Sequence, residues 1–165
     1  MNAKQLAALK AVEYIKEDTI VGLGTGTTAF YAIQKLGELV KAGMHVRAVC
    51  SSLASAKQAI ESGIPLAGMT EISSVDIYID GADEVDDHFN LVKGGGGALT
   101  REKILAFNSQ LFIVIIDDSK LSAKLGRFPV AVERSVRPFQ LPPKARLRPF
   151  AVRGQPVRNF RSRSA

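Results

Sequence analysis

The residues able to do chemistry gather in three short stretches. In "LVKGGGGALTREK" (91–103), Lys93 and four consecutive glycines (94–97) precede a helix-forming run that carries Glu102. Glycine has the largest entropic cost of ordering, so four in a row imply either a flexible linker or a backbone that something must approach closely. A flexible linker is flanked by polar, structureless sequence. This run lies between strand-like and helix-like segments, which favours an ordered loop whose N–H groups converge on an anion or a developing oxyanion. Lys93 adds a point charge. Glu102 is either a favourable charge at a helix start or, in a cleft beside Lys93, a general base.

The second stretch, "YIDGADEVDD", puts Asp80 at the end of an apolar run and Asp83 three residues later, with Gly81 and Ala82 between them. Carboxylates there can hold sugar hydroxyls, move protons or bind a metal. An Asp-Gly turn with a solvated acidic run accounts well for Asp86 and Asp87, less well for Asp80. The third stretch, "GLGTGTTA", joins a strand to a helix start through Thr25, Gly26, Thr27 and Thr28. Backbone N–H groups and hydroxyls at such a junction suit a phosphate; a plain tight turn is the bland alternative. Gly24-x-Gly26-x-x-Ala29 also fits a dinucleotide fingerprint, but that pattern wants an acid after the second strand, where "AVCSS" stands. No Gly-Lys-Ser/Thr follows, which excludes a Walker loop. A phosphate monoester is the better fit. Lys120, in "DDSK", is expected at the same sheet edge. His45 and His88 fall in unrelated segments and read as surface residues, so no metal set is expected. The combined toolkit suits proton abstraction beside a carbonyl with a stabilised enediolate, chemistry that a glutamate base performs in triosephosphate isomerase.

Positioning these groups requires alternating elements. Leu6, Leu9, Val12 and Ile15 recur at helical spacing within residues 2–16, with Asn2 as N-cap. Strands are expected at 19–24, 45–50, 74–80, 89–93 and 111–117, with weaker candidates at 64–69 and 128–133. Helices are expected at 27–43, 52–63 and 99–109, the first two stopped by Gly43 and Gly63. The alternation predicts an α/β fold, an open and largely parallel sheet with helices on both faces, a Rossmann-like layered domain. In such sheets ligands collect beyond the carboxyl ends of the strands, where the three stretches are expected.

The composition of the 165 residues, 46% hydrophobic and 23% charged, is that of a soluble globular chain. Neither a membrane-length apolar run nor a signal-peptide core is read in it. The lone Cys50 allows no intrachain disulfide and fits the cytoplasm; it reads as a small buried hydrophobe. The net charge of +6 is unevenly distributed. Residues 134–165 hold eight Arg, one Lys and no acid, a charge of +9, with five of the seven prolines. The first 133 residues hold 13 basic and 16 acidic side chains, a charge of −3. The division expected is a catalytic domain at 1–133 and a disordered basic tail at 134–165. Arginine density alone permits non-specific nucleic-acid binding by the tail, but it shows no readable recognition fold.

"GLGTGTTA", "VCSS", "IYIDGADEVD", "LVKGGGGALTREKI" and "DDSKL…LGRFPVAVE" together resemble, in order and spacing, the ribose-5-phosphate isomerase A family over residues 1–133. The resemblance implies interconversion of ribose 5-phosphate and ribulose 5-phosphate through an enediolate, without metal or other cofactor, in the non-oxidative pentose phosphate pathway. It implies Glu102 as the proton-shuttling base and Thr25, Gly26, Thr27 and Thr28 as the phosphate-binding loop. Asp80 and Asp83, about Gly81 and Ala82, are implied as sugar-contacting acids that assist ring opening. Lys93 with Gly94, Gly95 and Gly96 would face the reacting oxygens, and Lys120 would be a further substrate-contacting lysine. A homo-oligomer is implied too. After Glu133 the family continues with more α/β sequence, whereas this chain turns Arg- and Pro-rich. The chain is therefore expected to be truncated relative to the family, through a frame shift or misjoined coding end, with weak or no turnover and poor solubility. A phosphosugar-binding protein without catalysis is the alternative.

Overall fold

The structure, a computed structural model, describes residues 1–133; the expected basic tail lies outside the described residues. Its central sheet is four-stranded, in the order β2-β1-β3-β6, with all neighbours parallel. The strands are β1 (Thr19–Leu23), β2 (Val46–Cys50), β3 (Val75–Asp80) and β6 (Ser109–Val114). The helices are α1 (Ala3–Val12), α2 (Thr27–Lys41), α3 (Leu53–Glu61) and α4 (Leu99–Phe107). Strands β4 (Glu84–Val85) and β5 (Leu91–Val92) form a separate antiparallel ribbon, and a 3₁₀ turn follows β6 at Asp118–Lys120.

Alternation of side chains across the strands builds two cores. On one face Val21, Leu23, Ile77 and Ile79 pack against Ala8 and Val12 of α1, Ile33 and Leu36 of α2 and Ala59 of α3. Burying a side chain such as Leu36 contributes about 2 kcal/mol. On the other face Val49, Val75 and Tyr78 meet Leu105 of α4, joined by Met69 and Ile72 from the connection before β3. Helices thus cover both faces, as the alternation predicts. Asn2 caps α1 as expected: its side chain accepts from the Gln5 N–H at 2.8 Å, and the Gln5 side chain accepts from the Asn2 N–H at 3.3 Å.

Three expectations change. The segment at 64–69 makes only a single bridge, Leu66 to Ala48. Residues 128–133 form no strand; Pro129 has no N–H to give a ladder, and the N–H groups just before it donate to the Glu84 carboxylate. The run at 89–93 does become a strand, but it pairs with β4 rather than joining the parallel sheet. The glycine run therefore follows an antiparallel ribbon that stands apart from the parallel sheet.

From β1 the chain steps outward to β2, and from β3 it steps the other way to β6. Strands β1 and β3 thus flank a topological switch point, where a crevice opens beyond their carboxyl ends.

Candidate active site

Asp80 ends β3 at that crevice and is 0% exposed. Oδ1 accepts from the N–H of Thr25 at 3.0 Å and of Gly81 at 2.7 Å. Oδ2 accepts from the Tyr78 hydroxyl and from Lys93 Nζ, the latter at 2.9 Å. A buried carboxylate must be this fully hydrogen-bonded to persist. Tyr78 is held in turn by stacking on Phe112, with ring centroids 4.9 Å apart. Burial pushes the Tyr78 phenol well above its usual range, and the charge of Asp80 adds to the shift, so it stays a donor. Gly24 makes the arrangement possible: a Cβ there would lie 2.0 Å from Asp80 Oδ1.

Lys93 reaches into the same space from the end of β5. Besides Asp80, its ammonium donates to the Gly81 carbonyl at 2.6 Å and lies 3.3 Å from Glu102 Oε2. Glu102 is in the first turn of α4 and is 3% exposed. Its Oε2 is the one buried side-chain oxygen among the described residues without a hydrogen bond, because the contact with Lys93 is an ion pair lacking hydrogen-bond alignment. Burial raises the Glu102 carboxyl above its ordinary value, the charge of Asp80 adds to this, and Lys93 opposes it. A carboxylate placed this way is matched to proton abstraction.

The glycine run closes over these groups. Gly94 and Gly97 take φ of +99° and +72°, which side-chain-bearing residues rarely adopt. The Gly97 N–H donates to the Gly94 carbonyl at 3.0 Å, and the Gly95 N–H donates to Asp83 Oδ2 at 2.8 Å. Gly96 lies over Thr25, within 3.5 Å of its Cγ2 measured from the Cβ position. The three stretches separated in sequence therefore touch one another.

Gly26, Thr27 and Thr28 form the start of α2, where Gly26 has φ of +105° and no side chain caps the helix. The Thr27 hydroxyl accepts from Lys4 Nζ at 3.0 Å, and that ammonium lies 3.7 Å from Asp117. Hydrogen bonding to Ser119 lowers the Asp117 carboxyl, helped by the charges of Lys4 and Lys120. Lys120 thus stands at this end of the crevice rather than among Asp80, Lys93 and Glu102. A cleft lined by Lys4, Thr27, Tyr31, Asp117 and Ser119 opens here. Ala82 sits half-buried between the two acids of its turn.

Three contributors escaped the sequence reading. Lys4 is an ordinary lysine on an amphipathic helix, and nothing local marks it. Tyr78 reads as one more β-former in an apolar strand. Ser51 is fully buried, with its hydroxyl 2.7 Å from that of Thr25; a small polar residue directly after a buried strand was the available signal. Cys50 is half-buried, and burial pushes its thiol to about 11, which disfavours a nucleophilic thiolate. His45 approaches Glu17 and Asp18, but all three are exposed and precede β1 and β2, at the end of the sheet away from the crevice. Among the described residues no helix is long and apolar enough to cross a membrane.

The same architecture recurs among known proteins. A sequence model of the family described as ribose 5-phosphate isomerase A (phosphoriboisomerase A) matches residues 47–152. The chain is 48% identical over 139 residues to ribose-5-phosphate isomerase A of Listeria monocytogenes, covering 84% of this chain and 61% of that protein. It is 49% identical over 140 residues to that of Protochlamydia amoebophila, covering 85% and 60%. A solved D-ribose-5-phosphate isomerase in complex with phospho-erythronic acid superimposes with a TM-score of 0.73 at 42% identity, covering 76% of this chain and 57% of that one. The chain spans about 60% of the length of these curated relatives. With the DGAD turn, the glycine run and the helix carrying Glu102 meeting at one switch point, and with this much identity beneath them, the chain belongs to the ribose 5-phosphate isomerase A family.

Proposed function

We propose that this crevice interconverts D-ribose 5-phosphate and D-ribulose 5-phosphate. The observation that carries the reading is the buried, unaligned Oε2 of Glu102 set 3.3 Å from the Lys93 ammonium. Glu102 takes the proton from C2 of the open-chain aldose, and the electron pair moves into the C1 carbonyl to give an enediolate. Lys93 lies against the oxygens on which that charge develops, an interaction worth several kcal/mol in a largely buried site. Protonated Glu102 then returns its proton to C1 while the hydroxyl proton passes from O2 to O1, which leaves the ketose. Asp80, with all of its hydrogen-bonding positions engaged, holds Lys93 and the two loops in place. Asp83 steadies the glycine loop and is open enough to meet a sugar hydroxyl.

The phosphate belongs at the other end, on the α2 amides and the Thr27 hydroxyl with Lys4 and Lys120 alongside. A relative solved in complex with phospho-erythronic acid supports the enediolate reading, because the carboxylate of that phosphorylated acid resembles an enediolate in charge and shape. Association into a homo-oligomer is part of the same proposal.

The test is an assay of ribose 5-phosphate isomerisation in D₂O, with binding of phospho-erythronic acid measured in parallel. Weak turnover with deuterium incorporation is expected from a chain that spans about 60% of its relatives' length, falling by at least about 10²-fold in Glu102→Gln while the acid still binds. Undiminished turnover in Glu102→Gln, or a chain that binds neither sugar phosphate nor acid, would falsify the assignment. Binding by the unaltered chain without any turnover would favour a phosphosugar-binding protein instead.

A further inference from the structure

Glu84, the last acid of the DGADE turn, takes no part in the proton transfer, yet it is 0% exposed. None of the ion pairs among the described residues involves it. Its charge is met instead by consecutive backbone amides: Oε2 accepts from the N–H of Gly126 at 3.0 Å and of Phe128 at 3.1 Å, and Oε1 from that of Arg127 at 3.3 Å. A carboxylate buried without a cation is costly unless such donors converge on it. The turn at 126–128 is therefore wrapped around a side chain that the chain laid down more than forty residues earlier.

The residues from Phe128 onward lie on the glycine loop. Phe128 packs so closely on Gly95 that a Cβ there would sit 2.6 Å from its ring, and Ala131 stands 3.0 Å from the corresponding point on Gly94. Glu133 then accepts from the Thr100 N–H at 2.7 Å, capping α4, whose own N-cap, Ala98, offers no side-chain bond. On the other side of the turn, the Ser122 N–H donates to the Val85 carbonyl at 2.9 Å, and Arg127 donates to the Ser119 carbonyl at 2.6 Å. The segment is thus fastened to β4, to the 3₁₀ turn and to the helix carrying Glu102.

We propose that residues 121–133 are a strap that fixes the 93–97 loop and the start of α4 in reacting position, with Glu84 as the positioning residue that fastens it. The inference rests on the isomerase reading for its catalytic consequence, but its structural half does not. Gln at position 84 keeps the shape but turns an amide N–H₂ toward donors. Without the fastening, Phe128 and Ala131 lose their seat on the glycines, and Lys93 and Glu102 lose their fixed separation.

The experiment compares the full chain with Glu84→Gln, Phe128→Ala and Glu102→Gln by amide hydrogen exchange and steady-state kinetics. In Glu84→Gln and Phe128→Ala, amides of residues 93–102 should exchange about tenfold faster, equivalent to about 1.4 kcal/mol of lost local protection. Amides of β1 and β3 should be unchanged, and kcat should fall by more than KM rises. Glu102→Gln should keep the exchange pattern of the unaltered chain while losing turnover. Unchanged exchange at 93–102 in Phe128→Ala, or full kcat in Glu84→Gln, overturns the proposal. Should Glu84→Gln unfold outright, with exchange rising in β1 and β3 as well, the Phe128→Ala pattern decides alone. A chain with no turnover at all counts against the isomerase reading, and the exchange data still judge the strap.

Discussion

At the residue scale, the site is governed by one cation shared among acids. Lys93 faces Asp80 at 2.9 Å and Glu102 at 3.3 Å. Replacing it with Met leaves Asp80 as a fully buried carboxylate without its counter-ion, which should cost about 3–5 kcal/mol of stability. Adding Asp80→Asn to Lys93→Met should recover much of that loss, measured by urea unfolding; equal stability of the single and double variants would count against the pairing. The two unusual carboxyls also make opposite predictions for pH. Burial raises Glu102, so its ionised form appears only above the ordinary carboxylate range, and with Glu102 as the proposed base the acid limb of kcat/KM should lie above 4.5. A limb at or below that value would contradict the burial argument. Glu84 is lowered from 4.5 to about 2, first by the Gly126 N–H. Its folded form therefore favours the ionised state, and its stabilising contribution is complete above pH 4.5 and lost as pH falls toward 2. The stability of Glu84→Gln relative to the unaltered chain should accordingly converge on it as pH drops through that window.

At the element scale, the turns are set by close approaches rather than by propensity. Gly24 and Gly96 look alike in sequence, yet only the first is sterically closed. A Cβ on Gly24 meets Asp80 at 2.0 Å, whereas on Gly96 it meets Thr25 at an ordinary 3.5 Å. Gly24→Ala should therefore destabilise by at least about 1–3 kcal/mol, while Gly96→Ala should leave the thermal midpoint nearly unchanged. A calorimetric scan of both tests this, and equal midpoints would remove the close-approach account. Legibility followed the same line. The β1–α2 and β3 elements were readable because their period, caps and glycines are local signals. The stretch 128–133 read as a strand because it is a short apolar run containing two valines, but Val130 and Val132 stay exposed, and Phe128 and Ala131 pack on two glycines rather than on a neighbouring strand. The β4–β5 ribbon was half-visible, since two-residue strands have no period to detect.

At the scale of the whole molecule, the parallel sheet ends at β6, whose outer side is unpaired among the described residues and carries Leu111 at 40% exposed. An apolar edge invites pairing with another chain. If the proposed self-association uses this edge, Leu111→Lys should lower the scattering intensity at equal concentration; an unchanged intensity would remove the edge as a pairing surface. The sequence by itself determined the alternating elements, the three polar loops and the chemistry available to Glu102, Lys93, Asp80 and the threonines, because residue type, period and glycine placement are properties of neighbouring residues. Only the tertiary structure decided that Asp80 holds Lys93, that Lys4 comes from the first helix to Thr27, and that Glu84 gathers the amides of 126–128. Those pairings depend on strand order and on which buried charge finds a partner across the fold, and no local pattern encodes such a distance.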